Sequence, residues 1–91
     1  MANPVVVPCA KDVWTKVATN VISGQIWRLS SKPKYYHTYR DTGGDAPEDL
    51  TEAVPIFVDG NIDREEIAAV SGIDIYIYCR RSAGSVRVDL P

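Results

Sequence analysis

The sequence of 91 residues predicts an all-β domain, on three observations. Eleven valines, eight isoleucines and five threonines make 24 β-branched residues against only three leucines, a bias that suits strands better than helices. Ile73 to Cys79 alternates strictly, with Ile73, Ile75, Ile77 and Cys79 on one side and Asp74, Tyr76, Tyr78 and Arg80 on the other. Short apolar segments recur with turn residues between them at intervals of about ten residues, the rhythm of a sandwich or barrel rather than of alternating β and α units. The expected architecture is a single small antiparallel β-sandwich or barrel of about seven strands over residues 11–91, with an extended N-terminal arm over residues 1–10.

The arm, Ala2 to Pro8, holds three valines between two prolines, so it cannot form a helix and would expose apolar surface if it lay free. Val13 to Thr19 reads as a strand, followed by a turn near Ile22-Ser23-Gly24 and a returning strand from Gln25 to Ser30. Pro33 separates these from a strand at Lys34 to Arg40. A polar loop from Asp41 to about Glu52 follows, in which Ala46-Pro47-Glu48-Asp49-Leu50 could form one helical turn with proline in its first position. Ala53 to Val58 is the next strand and Asp59-Gly60 a hairpin turn. Ile62 to Val70 fits helix and strand about equally. Ile73 to Cys79 and Ser85 to Leu90, joined by Arg81-Ser82-Ala83-Gly84, read as a C-terminal hairpin with core on one face and tyrosines on the other.

Ten basic against twelve acidic side chains, a net charge of −2, write no polyanion groove or polybasic membrane patch into the chain. No secretory signal is expected from the N-terminus, whose apolar run is broken by prolines and lacks a basic start. No stretch of eighteen apolar residues occurs, so no membrane partner is expected. Cys9 and Cys79 have no metal-knuckle or CxxC spacing and are expected as reduced, packed thiols.

Asp41-Thr42-Gly43 matches the active-site triplet of retroviral-type aspartic peptidases, small all-β chains that dimerise to pair two carboxylates. The surroundings depart from that family: Tyr39-Arg40 stand where an apolar strand should lead in, and the later apolar pair with its glycine is missing. An Asp/Gly turn is the plainer reading, with the peptidase kept as an alternative. Asp59 to Glu65 places oxygens at alternate positions, but the register of a calcium loop would put Arg64 at its glycine position and Val70 at its carboxylate position. His37 is the single histidine and is expected as a strand side chain. With no phosphate-cradling glycine motif either, the expectation is a non-enzyme with no cofactor and no metal. Aromatics beside basic residues, such as Trp27-Arg28 and Lys34-Tyr35-Tyr36, could stack single-stranded bases, yet they are scattered on an acidic chain, so nucleic acid is not the expected partner. Contact residues are instead expected at Val5, Val6 and Val7 of the arm and at Trp14, Tyr76 and Tyr78 on the face opposite the core.

Val5 to Asn20, Ser23 to Trp27, Tyr39 to Gly43, Ala53 to Val58, Ile73 to Tyr78 and Gly84 to Leu90 together resemble small structural proteins of tailed bacteriophages. The resemblance spans most of the chain and lies in β-rich texture rather than in a diagnostic motif. It implies a virion location and a capsid decoration or cement protein, with a small tail, neck or fibre-attachment component as the alternative. It also implies homo-oligomers, trimers favoured, whose partner is the major capsid protein or another virion structural protein.

Overall fold

The β-branched segments assemble into six strands and no helix in the computed structural model, which describes residues 4–29, 32–56 and 64–90. The strands are β1 (Val5–Cys9), β2 (Trp14–Arg28), β3 (Lys34–Asp41), β4 (Val54–Ile56), β5 (Arg64–Arg80) and β6 (Gly84–Asp89). They form one antiparallel sheet in the order β1-β6-β2-β5-β3-β4, which is not closed into a ring.

Six strands appear where about seven were expected because two predicted breaks are bends within longer strands. The turn expected near Ile22-Ser23-Gly24 is absent: β2 runs through it for 15 residues, and its pairing with β5 slips three times between Lys16 and Ser23. Such bulges bend a strand and sharpen its twist without ending it. Asn20, inside the slipped stretch, has a left-handed φ of 55°. Gly24 is required there by close approach, since a Cβ would lie 2.8 Å from the Asp89 carbonyl oxygen. Likewise the ambiguous Ile62–Val70 is strand from Arg64 onward, continuous with Ile73–Cys79 through Ser71-Gly72 in the 17-residue β5. A Cβ at Gly72 would run into the Asn20 side chain, so the two bends nest in each other.

The expected C-terminal hairpin is also corrected. β6 does not return along β5 but pairs with β1 on one side and with Gln25–Arg28 of β2 on the other. The middle of the sheet carries β5, flanked along Ile73–Arg80 by β3 and opposite Trp14–Tyr78 by β2. The curl is strong enough for strands remote in sheet order to touch. The Tyr35 hydroxyl of β3 donates to the Ser85 carbonyl of β6 at 3.0 Å, across the intervening β2 and β5. The chain just after β1 returns to β5, with the Asp12 N–H donating to the Cys79 carbonyl at 2.8 Å. Inside this curl lie Ile26, Tyr35, Ile75, Ile77, Cys79 and Val86, each 1% exposed or less.

The single helical turn expected at Ala46–Leu50 is absent as well. The Asp49 carboxylate accepts the Thr51 N–H at 2.9 Å, an Asx-type turn that competes with helical hydrogen bonding. Val5–Cys9, expected within an extended arm, is indeed extended, but it is hydrogen-bonded to β6 as an edge strand. Ala53 to Val58 is strand at Val54–Ile56, while Phe57, Val58 and the Asp59-Gly60 turn lie outside the described residues. No helix of the described residues is long and apolar enough to cross a membrane.

Candidate functional site

The Asp41-Thr42-Gly43 triplet closes β3 as a turn. Thr42 donates its hydroxyl to Asp74 Oδ1 at 3.1 Å and its N–H to the Gly72 carbonyl at 3.4 Å, and Gly44 N–H returns to the Asp41 carbonyl at 2.8 Å. Asp41 itself is exposed. The carboxylate that this turn serves is Asp74, 1% exposed, which also accepts the Asn20 N–H at 3.0 Å and faces Lys16 Nζ at 3.3 Å. The Asn20 N–H bond holds the Asp74 carboxyl below its ordinary range against the opposing effect of burial, and Thr42 and Lys16 add to it. Asp74 thus ties the β2 bend, the β3 turn and β5 together as a saturated structural ion, already supplied with donors on three sides.

His37 lies opposite Ile77 and Val54, buried and stacked on Tyr39 at 4.8 Å between ring centres. Burial lowers its pKa, and its Nδ1 has no hydrogen-bond partner among the described residues. Asp59 to Asp63 of the calcium-like segment lie outside the described residues, and Arg64 and Glu65 belong to β5. Among the described residues no group of three His, Cys, Asp or Glu side chains is arranged to hold a metal.

The six expected contact residues fall into four settings. Val5 and Val6 are 56% and 58% exposed on the sheet edge. Val7, on the side of β1 facing the core, is half-buried against it. Trp14 and Tyr78 are half-buried neighbours across β2 and β5, with ring centres 5.3 Å apart. Tyr76, in contrast, is 5% exposed, so the face expected to be an open tyrosine surface is corrected there. The alternation placed Tyr76 opposite Ile75 and Ile77 properly, but that second face has a cover of its own. The Lys16 ammonium lies 5.7 Å from the Tyr76 ring centre, and the chain beyond the β3 turn folds back so that Trp14 Nε1 donates to the Asp49 carbonyl at 2.9 Å.

Between that returning segment and the sheet lies a cleft of about 310 Å³. Its apolar side is Trp14, Tyr78, Pro47 and Leu50, and Asp12, Glu48 and Asp49 stand exposed around it. An aromatic floor with a carboxylate rim suits the stem and head of a basic side chain.

A further feature escaped the sequence reading. Trp27 sits across from Arg64 on β5 and Arg87 on β6, with the two guanidinium carbons 5.6 and 5.1 Å from its ring centre. Arg87 is held in place by two 3.0 Å hydrogen bonds to Asp89. Val6 stands opposite Arg87 and extends this row to the sheet edge. The residues of the row come from four distant segments, and only the register brings them together. The sequence marks neighbours such as Trp27-Arg28 and gives no sign of the register partners Arg64 and Arg87.

Comparison with protein-family models, with curated proteins and with solved structures found no match.

Proposed function

We propose that the chain is a non-catalytic assembly module and, on its resemblance to small structural proteins of tailed bacteriophages, a capsid decoration or cement protein that self-associates and binds a virion shell. The observation that carries the reading is the edge of the sheet at β1. Val5 and Val6 are more than half exposed on a strand that Val7 and Cys9 anchor to the core, Val6 on the outer face and Val5 at the open end of the inner one. Val6 continues into the Val6–Arg87–Trp27–Arg64 row, and Trp and Arg are the residue types that concentrate binding energy in protein interfaces.

The architecture behind this reading is a sandwich. β2 and β5 bend at their bulges, and the Tyr35–Ser85 and Asp12–Cys79 hydrogen bonds join the β1/β6 end of the sheet to its β3/β5 end. Both edge strands carry a proline, Pro8 in β1 and Pro55 in β4, with no N–H to offer a further strand. Association therefore runs through side-chain surface rather than by adding strands end on end, which favours closed oligomers such as trimers over fibres. A shell gains stiffness when each of many bound copies adds a modest buried area between subunits.

The test is sedimentation of the purified chain, alone and with shells of the major capsid protein. The wild type is expected to form a closed oligomer and to pellet with shells. Val5→Asp with Val6→Asp, which changes only exposed side chains, is expected to stay folded and lose both properties. A folded double variant that still assembles would refute the role of β1. The peptidase alternative predicts instead a peptide-cleaving dimer silenced by Asp41→Asn.

A further inference from the structure

The two cysteines lie 70 positions apart in sequence, yet the sheet brings them side by side. Cys9 ends β1 directly opposite Gly84, the residue whose N–H reaches the Cys79 sulfur. Two residues beyond Cys9, Lys11 forms a parallel bridge with Cys79, and the Asp12 N–H binds the Cys79 carbonyl. Both side chains belong to the same core cluster, at 1% and 0% exposure, each thiol perturbs the titration of the other, and the Cys9 thiol itself donates to the Val7 carbonyl at 3.7 Å. Both are free thiols in this structure.

We infer that Cys9 and Cys79 are an intramolecular disulfide-forming pair, a redox-dependent staple that pins the edge strand β1 to the central strand β5. This stands apart from the assembly reading and holds or fails on its own.

The pair is asymmetric. The neighbouring Cys9 thiol and the Gly84 N–H ease loss of the Cys79 proton, while the Cys9 thiol, buried beside Cys79 and donating to the Val7 carbonyl at 3.7 Å, is held protonated. In the first step Cys79, fixed on the central strand β5, is the attacking sulfur, and Cys9 moves with the edge strand β1. β1 covers Cys79, and as an edge strand paired only with β6 it is the element whose transient opening admits a small reagent. The Cys79 thiolate attacks a low-molecular-weight disulfide such as oxidised glutathione, forming a mixed disulfide and releasing one small thiolate. As β1 closes, the Cys9 thiol gives up its proton to solvent and attacks the Cys79 sulfur, forming the Cys9–Cys79 bond and expelling the second small thiol. Two protein thiols lose two electrons and two protons, and one small disulfide becomes two thiols.

Closing so long a segment removes much freedom from the unfolded chain, and the bond also stops β1 from fraying while Val5 and Val6 stay outside. The test treats the folded, full-length protein with oxidised glutathione, without denaturant, and reads intact mass, the linked peptides, amide exchange and Tm. Expected are a mass loss of two hydrogens, a Cys9 peptide joined to a Cys79 peptide, slower exchange at Val5–Val7, and a Tm raised by about 10 °C, reversed by dithiothreitol. Cys9→Ser should stop at a glutathione adduct on Cys79. Two persistent free thiols, a lasting adduct on the wild type, a bond between chains, or closure with no gain in Tm or protection would each overturn the staple.

Discussion

β1 and the second half of β5 are written in similar letters and end in different places. Val5-Val6-Val7-Pro8-Cys9 and Ile75-Tyr76-Ile77-Tyr78-Cys79 are both short apolar runs closed by a cysteine that reaches the core. In β5 the inward residues Ile75 and Ile77 are 0% exposed and the opposite face is covered too, down to 1% at Asp74 and 5% at Tyr76. In β1 the inner side closes only toward its end, at the half-buried Val7 and the buried Cys9, and both Val5 and Val6 stay open to solvent. The difference comes from neighbours. β5 lies between β2 and β3 and under the segment that Trp14 pins through Asp49, whereas β1 has β6 on one side and, among the described residues, no strand beyond. Alternation assigns a residue to a face, and the sheet order decides whether that face is wet.

The comparison is broken most severely at the centre of β5. Ile77→Ala removes a fully buried side chain with backbone neighbours on both sides and should cost about 2–5 kcal/mol of unfolding free energy by urea titration. Val5→Ala on β1 should change the same quantity by less than about 0.5 kcal/mol. Equal losses would mean that β1 is as deeply built into the fold as β5.

Asp74 sharpens the same contrast, since it is the polar member of the buried β5 face. Its carboxyl is held below the ordinary value of 3.8, so its contribution is fully present above that value and is lost as pH falls through the lowered folded value. Asp74→Asn should be less stable than wild type at neutral pH and should lose much of the steep acid limb seen in thermal melts of the wild type. His37 acts earlier in an acid titration. Its pKa lies below 6.5 because burial disfavours the imidazolium, so stability is complete above 6.5 and drains as pH falls from there through the lowered value. His37→Phe should flatten that part of the profile. Tyr35→Phe, which deletes the hydroxyl bonded to Ser85, should cost about 1 kcal/mol and loosen the contact between β3 and β6.

How much of this was legible in the sequence follows from range. The β class, the strand at Lys34–Arg40 and the face assignments along Ile73–Cys79 rest on local composition and alternation, and the structure keeps them. The long β2 reads as two shorter strands because Ser23-Gly24 looks the same whether the chain turns or bulges, and the first half of β5 stays open between helix and strand because Ile62–Val70 fits both patterns. What distinguishes the cases is the nesting of Gly72 against Asn20 and of Gly24 against Asp89, both contacts between remote segments. The Arg64–Trp27–Arg87 stack, the burial of Tyr76 and the meeting of Cys9 with Cys79 share that origin: each depends on register between strands, which no single segment encodes. The exposure of Val5 and Val6 is legible in the sequence because a run of valines closed in by prolines leaves its mark locally.

The most direct test of the proposal that β1 is the side of the sheet through which the chain assembles is residue-resolved amide hydrogen exchange, on the dilute reduced protein and again after assembly. Dilute, Ile73–Cys79 should exchange only through global unfolding, and Val5–Val7 far faster through local opening. On assembly Val5–Val7 should become strongly protected while Ile73–Cys79 changes little. Protection of Val5–Val7 equal to that of β5 in the dilute protein, or unchanged on assembly, would contradict the account.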